Sequence, residues 1–360
     1  MSDRKIYLQP LGLLRGCNVS SDDLKSISNS GICFSLVKII TREGKSVSSE
    51  VIHLSQLENF LSSKPPAIRD AILNILDKIS MRLPKLALAN NVILDWRRPI
   101  IQGVLNVTPD SFSDGGSIKN VDDAVSVALQ MMAAGADIID IGGESTKPGA
   151  KPVSITAEKE RVIPVIKKLA SKGVPISVDT RNAEVMAAAT DAGALIINDV
   201  SALEHDESSI EVVRESGVPV ILMHAQGTPE TMQENPQYED VLLDIYDYLE
   251  ARIAVCVKAG IPTEKIIIDP GIGFGKTVEH NLKILANISI FHGLGVPILI
   301  GTSRKSFIGK VTGQEQAVKR LSGSIASAQV CLDQGVQVVR VHDVEETAQA
   351  LSIWNAVASD

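Results

Sequence analysis

The chain has 360 residues, of which 44% are hydrophobic and only 3% aromatic, and its formal net charge is −8. Because it is acidic and has neither a basic block nor an apolar run of about 18 residues, we expect it to bind neither nucleic acid nor membranes. Its four cysteines are far apart and outside CxxC spacing, which favours reduced thiols and a cytoplasmic protein.

The first 97 residues predict a small α+β appendage. Cys33–Ile40 has the composition of a strand. Pro66–Met81 carries apolar residues at helical spacing and follows the breaker Lys64-Pro65-Pro66, which predicts an amphipathic helix. No residue here suggests chemistry. Two roles remain open for the appendage, packing against the rest of the chain or docking another protein.

From residue 98 to 360, aliphatic runs alternate with amphipathic segments. The runs that predict strands are Ile100–Asn106, Ile138–Ile141, Pro175–Asp179, Leu195–Asn198, Pro219–Met223, Ile266–Asp269, Pro297–Ile300 and Val336–Val341. The segments that predict helices lie near 121–134, 157–172, 182–192, 208–216, 239–259, 279–291, 315–334 and 344–358. Eight strand–helix units indicate a (β/α)8 TIM barrel of the α/β class. A doubly wound sheet is the rival, but it needs fewer units and usually a GxGxxG turn after its first strand.

Polar residues end the predicted strands, where a barrel of this type places its active site. They are Asn106, Gly142–Thr146, Asp179, Asn198, Asp199, His224, Asp269, Ser303, Arg304, Lys305, Arg340 and His342. Asp179 also fits a helix N-cap and Asp269 a turn, taken singly. Together with Asn198 and Lys305, the two carboxylates suit an aminopyrimidinone ring, which has hydrogen-bond donors and acceptors along one edge.

Several cations also converge on this end of the predicted barrel. Arg340 and His342 are two residues apart on one strand and therefore share a face. Lys147, Lys276, Arg304 and Lys305 lie in other strand-end loops. Together they suggest an anionic group such as a pyrophosphate or carboxylate, although Lys147 and Lys276 also fit ordinary surface charges. Asn106, which shares a loop with Asp110 and Asp114, is a candidate for holding Mg²⁺ against phosphate oxygens.

In order along the chain, these loops resemble those of the dihydropteroate synthases from about Pro99 onward. The segments that carry the resemblance are Gly103–Gly116, Asp140–Thr146, Ile176–Thr180, Ile197–Ser201, Met223–His224, Gln226–Pro229, Asp269–Thr277, Ser303–Gly309 and Arg340–Asp343. The resemblance implies a transferase of folate biosynthesis. It would condense 7,8-dihydropterin-6-ylmethyl diphosphate with p-aminobenzoate, with which sulfonamides compete, to give 7,8-dihydropteroate and pyrophosphate.

The resemblance also implies roles for individual residues. The pterin-binding set is Asp179, Asn198, Met223, Asp269 and Lys305. The diphosphate-binding set is Asn106, which would act through Mg²⁺, with Arg340 and His342. The p-aminobenzoate set is Phe112, Thr146, Lys147, Pro148, Phe274 and Ser306. The catalytic set is Asp110 and Asp114, expected to stabilise a transient cation, with Lys305 and Arg340.

One position departs from the family pattern, because Lys147 stands where an arginine is usual and lacks its planar fork.

A methyltetrahydrofolate–corrinoid methyltransferase would share Asp179, Asn198 and Asp269 but would have no use for a diphosphate site. An inactive barrel that binds a partner enzyme is a further alternative.

The resemblance suggests a homodimer built on the last helices. The apolar face with Val344, Leu351 and Trp354 fits either that interface or the barrel core.

Overall fold

The computed structural model describes residues 4–16, 23–108, 120–145, 149–150, 152–228 and 231–357. An antiparallel sheet opens the chain, formed by β1 (Arg4–Arg15), β2 (Lys25–Ser26), β3 (Ile32–Glu43) and β4 (Ser46–His53). Strand β3 pairs with β1 along one edge and with β2 and β4 along the other. Helices α1 (Leu54–Ser62) and α2 (Pro66–Ser80) follow, and their apolar residues join the same buried core as the sheet.

The predicted strand at 33–40 and helix at 66–81 are confirmed within β3 and α2, whereas β1 was not predicted. Its Pro10 and Gly12 argue against a strand from sequence alone. In the described sheet β1 is an edge strand, where the missing N–H of a proline is tolerated.

The cysteine prediction holds only in part. Cys256 and Cys331 are free and buried. Cys33 is in a disulfide, so the prediction of reduced thiols is wrong there. The spacing of the cysteines could not predict this bond, because antiparallel pairing of β1 with β3 brings together residues that are well separated in sequence.

A short hairpin closes one end of the barrel. Strands β5 (Leu86–Ala87) and β6 (Ile93–Leu94) pair antiparallel. The hairpin and the buried Trp96 pack against the first residues of the barrel strands, among them Ile100 and Ile138. The N-terminal end of the barrel is therefore filled with apolar side chains, and the opposite end is left for polar residues.

Eight parallel strands form the barrel, and the predicted (β/α)8 fold is confirmed. They are β7 (Ile100–Asn106), β8 (Ile138–Gly142), β9 (Ile176–Asp179), β10 (Ile196–Asp199), β11 (Val220–Met223), β12 (Ile266–Asp269), β13 (Leu299–Ile300) and β14 (Val338–Val341). The hydrogen-bonded order is β12-β11-β10-β9-β8-β7-β14-β13, and a parallel bridge between Ile268 and Ile298 joins its two ends.

Helices alternate with the barrel strands in the described residues. They are α3 (Val121–Ala133), α4 (Ile155–Ala170), α5 (Ala183–Asp191), α6 (Ser209–Ser216), α7 (Val241–Lys258), α8 (Val278–Ala286), α9 (Ser306–Thr312), α10 (Leu321–Leu332) and α11 (Val344–Val357). Three differ from the predictions. The helix expected near 279–291 ends at Ala286 and gives way to the 3-10 segment Ile288–Leu294, and the short α9 was not predicted. The helix expected near 315–334 begins at Leu321, after the 3-10 segment Ala317–Lys319.

The N-terminal sheet packs on the outside of the barrel, at α7. The Tyr7 ring meets the Tyr246 ring edge-on, with 5.2 Å between their centroids, and its hydroxyl donates to Asp247 at 2.9 Å. Arg42 donates to Asp244 at 2.7 Å. Of the two roles left open for the appendage, packing against the barrel is therefore the one observed. Within the described residues, no helix combines the length and apolar character needed to cross a membrane.

Replacing Tyr7 with alanine is expected to lower the free energy of unfolding by about 3–5 kcal/mol, because a fully buried ring at this contact is lost. Urea denaturation measures the change. Val47→Ala is the matched control, since Val47 lies in the same sheet but is 46% exposed, and it should change stability by less than about 0.5 kcal/mol. Equal effects of the two substitutions would contradict a stabilising contact at α7.

Candidate active site

The polar residues predicted at the strand ends meet at the open end of the barrel. Asp179 ends β9 and lies beside Asn198 in the register of β9 with β10. Met223 ends β11 and lies beside Asp269, the last residue of β12. Asp179, Asn198, Met223 and Asp269 are all buried. The parallel register thus brings together four predicted pterin-binding residues that are spread over about ninety positions of the sequence.

Arg340 links two buried carboxylates of neighbouring strands. Its Nε donates to Asp140 Oδ2 at 2.6 Å, and its Nη2 donates to Asp179 Oδ2 at 2.7 Å. Asn198 Nδ2 donates to the same Asp140 oxygen at 3.0 Å. Ser177 donates to the other Asp140 oxygen and receives a hydrogen bond from Gln102. The Asp140 carboxylate therefore holds both the Arg340 guanidinium and the Asn198 amide.

Asp140 was not predicted as a site residue, although the motif that contains it was recognised. It interrupts the apolar strand Ile138–Gly142 and is completely buried. A charge in a buried strand needs a partner, so the position of Asp140 within an apolar strand could have indicated a site residue. The identity of the partner was not predictable, because Arg340 lies 200 residues away.

Burial perturbs the charged groups of this network. It raises the pKa of Asp179 to about 7, although the nearby Arg340 opposes the shift. Burial also works against the charge of Arg340, but Asp140 and Asp179 outweigh it and hold the pKa of the guanidinium above its usual value. The arginine therefore stays charged, while Asp179 titrates near neutral pH.

Asp269 accepts a hydrogen bond from one backbone N–H and is faced by cations. Its Oδ1 accepts from Gly271 N at 2.7 Å. Burial raises its pKa, whereas the Gly271 N–H and the charges of Lys305 and Lys276 lower it. Burial lowers the pKa of Lys305 to about 8, and its Nζ lies 4.0 Å from the centre of the Phe274 ring. The Lys305 ammonium group therefore lies over the Phe274 ring, and its charge acts on Asp269.

Other predicted cations have different surroundings. Arg304 forms a two-pronged ion pair with Asp343 and adopts a left-handed backbone conformation (φ 60°). This pair joins the loops that follow β13 and β14. Lys276 was open to interpretation as a surface charge, and that interpretation is wrong because only 2% of the residue is exposed. His342 Nδ1 lies 3.1 Å from Ser303 Oγ, and burial lowers its pKa to about 3.

The loop after β8 is braced at both of its ends. Arg161 donates to the carbonyl of Gly143 at 2.8 Å. Glu144 accepts two hydrogen bonds from Arg181 at 3.0 Å each, and a third from the backbone N–H of Val153. Asp110, Phe112, Asp114, Thr146, Lys147 and Pro148 lie outside the described residues. Ser306, at the start of α9, is exposed, and Phe274 is half-buried.

The comparisons with known proteins agree with this geometry. The family model of the pterin binding enzymes matches residues 102–342, which hold all but the first two residues of the barrel sheet. A dihydropteroate synthase of Escherichia coli is 47% identical over 272 residues, which is 75% of this chain and 96% of that protein. The chain belongs to the dihydropteroate synthase family.

Solved structures of dihydropteroate synthases superpose on the barrel. That of Yersinia pestis, in complex with a sulfonamide drug, has a TM-score of 0.74 and 45% identity, covering 77% of this chain and all of that one. That of Xanthomonas albilineans, in complex with 7,8-dihydropteroate, has a TM-score of 0.70 and 42% identity over the same shares. The predictions of a dihydropteroate synthase and of a transferase are confirmed. The family match begins at residue 102, after the N-terminal appendage.

Proposed function

We propose that this chain condenses 7,8-dihydropterin-6-ylmethyl diphosphate with p-aminobenzoate through the residues gathered at the open end of its barrel. The observation that carries the proposal is the group formed by Asp179, Asn198, Asp269 and Lys305 at the strand ends, in which the two carboxylates and the amide are buried. Carboxylates accept from ring N–H groups, the amide both donates and accepts, and the ammonium group donates. Met223 contributes an apolar surface for the flat ring.

The diphosphate is assigned to Asn106, Arg340 and His342. Asn106 is half-buried at the end of β7, next to β8. The described residues hold no cluster of three acidic, histidine or cysteine ligands. The Asn106 side-chain oxygen could hold Mg²⁺ together with the substrate phosphates. Proteins commonly bind this ion through one or two side-chain oxygens and phosphate groups. Bound there, Mg²⁺ would neutralise charge on the departing diphosphate.

The remaining chemistry is assigned to the residues around the reacting carbon. The bond from the pterin methylene carbon to the diphosphate oxygen breaks, and the oxygen keeps the electron pair. Asp110 and Asp114 stabilise the resulting cation electrostatically, while Lys305 and Arg340 hold the pterin and the diphosphate. The amine nitrogen of p-aminobenzoate then forms the new bond and releases a proton. This amine is already a free nucleophile, so no strong base is required.

The second substrate is assigned to Phe112, Thr146, Lys147, Pro148, Phe274 and Ser306. Exclusion of water matters here, because water would trap the cation before the amine reacts. The brace formed by Arg161, Glu144 and Arg181 supports this assignment, since it fixes the two ends of the loop that contains three of these residues.

We also propose a homodimer. Its cytoplasmic location stays a prediction that rests on the free cysteines Cys256 and Cys331, since the disulfide at Cys33 does not support it. Val344, Leu351 and Trp354 are buried within the chain and belong to its core. Ile353 and Val357, on the same helix, are each 69% exposed and offer apolar surface to a second copy. Sedimentation equilibrium of the wild type and of an Ile353→Asp variant tests the dimer. We expect two chains for the wild type and one for the variant, and a monomeric wild type would contradict the proposal.

The metal assignment is tested by calorimetric binding of dihydropterin diphosphate with and without Mg²⁺. We expect Mg²⁺ to strengthen binding to the wild type, and Asn106→Ala to remove most of that gain by deleting the side-chain oxygen. Asn59→Ala, at an exposed position of α1, is the control and should keep the gain. An equal gain in the Asn106 variant would contradict the assignment.

A further inference from the structure

Lys276 is a buried cation that no step of the proposed reaction uses. Its Nζ lies 2.9 Å from His224 Nδ1, 3.3 Å from the His224 carbonyl oxygen and 3.0 Å from the Phe274 carbonyl oxygen. Three acceptors match the three protons of an ammonium group. No carboxylate of the described residues forms an ion pair with it, so its burial costs free energy that a neutral side chain would not.

The acceptors of Lys276 belong to two different strand-end loops. His224 directly follows Met223 at the end of β11, and Phe274 lies in the loop after β12. The backbones of these loops already touch. A Cβ atom on Gly271 would lie 1.9 Å from the His224 carbonyl oxygen, and one on Gly275 would lie 2.4 Å from the Gln226 carbonyl oxygen. The ammonium group therefore sits where two loops of the pterin pocket meet.

The surroundings of His224 fit an acceptor role for its ring. Burial, together with the charge of Lys276, lowers the pKa of His224 well below its usual value, so the ring is neutral. Its Nδ1 then accepts from Lys276, and its proton is on Nε2. The ring is enclosed by Tyr248, edge-on at 4.9 Å, and Tyr238 at 5.9 Å. Tyr238 also donates to the Gly275 carbonyl oxygen at 2.7 Å.

Lys276 also acts on Asp269 through its charge. The charged or titratable groups that face Asp269 are Lys305 after β13, Lys276 after β12, Arg340 in β14 and the Cys331 thiol of α10. Burial favours the protonated carboxyl, and the cations oppose it. Burial also lowers the pKa of Lys276 to about 7, so this lysine carries its charge below that pH.

We propose that Lys276 is a positioning residue of the pterin pocket, which ties the end of β11 to the loop after β12 and whose positive charge acts on Asp269. It acts on the substrate through Met223, Phe274 and Asp269 and does not itself touch the reacting atoms. The proposal rests on the assignment of Asp269 to the pterin, and it adds the residue that sets the shape and charge state of that side of the pocket.

Two substitutions separate the two effects of Lys276. Lys276→Gln removes the charge but keeps hydrogen-bond donors, and Lys276→Arg keeps the charge but changes the donor geometry. Lys283→Gln is the matched control, because Lys283 is a half-exposed cation of α8 that pairs with Asp240. The measurements are kcat, KM for each substrate, and kcat/KM for dihydropterin diphosphate as a function of pH.

For Lys276→Gln we expect KM for dihydropterin diphosphate to rise about tenfold, while KM for p-aminobenzoate stays within about threefold of the wild type. The acidic limb of the pH profile, to which Asp179 also contributes, should move upward, because Asp269 has lost a neighbouring positive charge. Lys276→Arg should raise the same KM but leave the acidic limb in place, and Lys283→Gln should match the wild type.

Equal increases of both KM values in the Gln variant with an unmoved acidic limb would overturn the proposal. If the Gln variant does not fold, Lys276→Arg still decides, since a shifted acidic limb in a variant that keeps the charge contradicts the electrostatic role. The Asp269→Asn variant distinguishes a wrong role for Lys276 from a wrong assignment of Asp269 to the pterin. If Asp269→Asn weakens pterin binding and Lys276→Gln does not, only the role of Lys276 is lost. If Asp269→Asn has no effect, the pterin assignment itself fails.

Discussion

Replacing Asp269 with asparagine is expected to weaken pterin binding about 100-fold, which corresponds to about 2–3 kcal/mol. The substitution preserves size but removes the negative charge that strengthens hydrogen bonds from the ring N–H groups. The fold should tolerate it, because an amide oxygen can still accept the hydrogen bond from Gly271 N. Calorimetric binding of dihydropterin diphosphate measures the loss.

The control for this substitution is Asp191→Asn, an exposed carboxylate at the end of α5. It should leave pterin affinity unchanged. A change of less than about threefold for Asp269→Asn would remove Asp269 from the pterin pocket, because this is far below the value of a buried charge-assisted hydrogen bond.

Replacing Arg340 with methionine is expected to lower the free energy of unfolding by about 3–5 kcal/mol, because Asp140 and Asp179 lose the cation between them. Catalysis should fall as well, by about three orders of magnitude in kcat/KM, since the same side chain is assigned to the diphosphate. Urea denaturation and steady-state kinetics measure the two effects. Arg97→Met is the control, because the Arg97 side chain is 72% exposed.

The stability deficit of Arg340→Met should grow with pH. In the folded wild type the pKa of Asp179 is about 7, above its unfolded value of about 3.9, so folding binds a proton between these values. A group of this kind contributes stability that is complete below pH 4 and is lost as pH rises through 7. Without Arg340 the folded pKa rises further, and ionisation at pH 8 becomes more costly. An equal deficit at pH 5 and pH 8 would contradict this electrostatic origin.

The barrel was predictable because its signals are local. Each aliphatic run needs only its own residues to indicate a buried parallel strand, and eight such runs specify the architecture. The observed strands lie at the predicted places, most of them within about two residues. The polar residues at the open end of the barrel were predictable for the same reason, since the residue at the end of each strand is fixed once the strand is known.

The partners within the site were not predictable in the same way. Nothing near Asp140 in the sequence indicates Arg340, and nothing near Lys276 indicates His224, 52 residues earlier. These contacts depend on which strands are neighbours and on side-chain direction. The ion pair of Arg304 with Asp343 is a similar case, because Asp343 lies in the loop after the neighbouring strand.

The appendage shows the other limit of sequence analysis. Strand β1 contains Pro10 and Gly12 and forms only because β3 pairs with it along its length. Its contact with α7 depends on Tyr7, whose hydroxyl and ring meet Asp247 and Tyr246 of the barrel. A strand stabilised by tertiary pairing leaves a weak local pattern.

The central claim is tested most directly by a turnover assay. The purified 360-residue chain is mixed with dihydropterin diphosphate, labelled p-aminobenzoate and Mg²⁺, and labelled dihydropteroate is separated and counted. We expect label to enter dihydropteroate, with one pyrophosphate released for each molecule formed, and an excess of a sulfonamide to suppress it. The absence of labelled dihydropteroate from folded enzyme at micromolar concentration would contradict the proposed function.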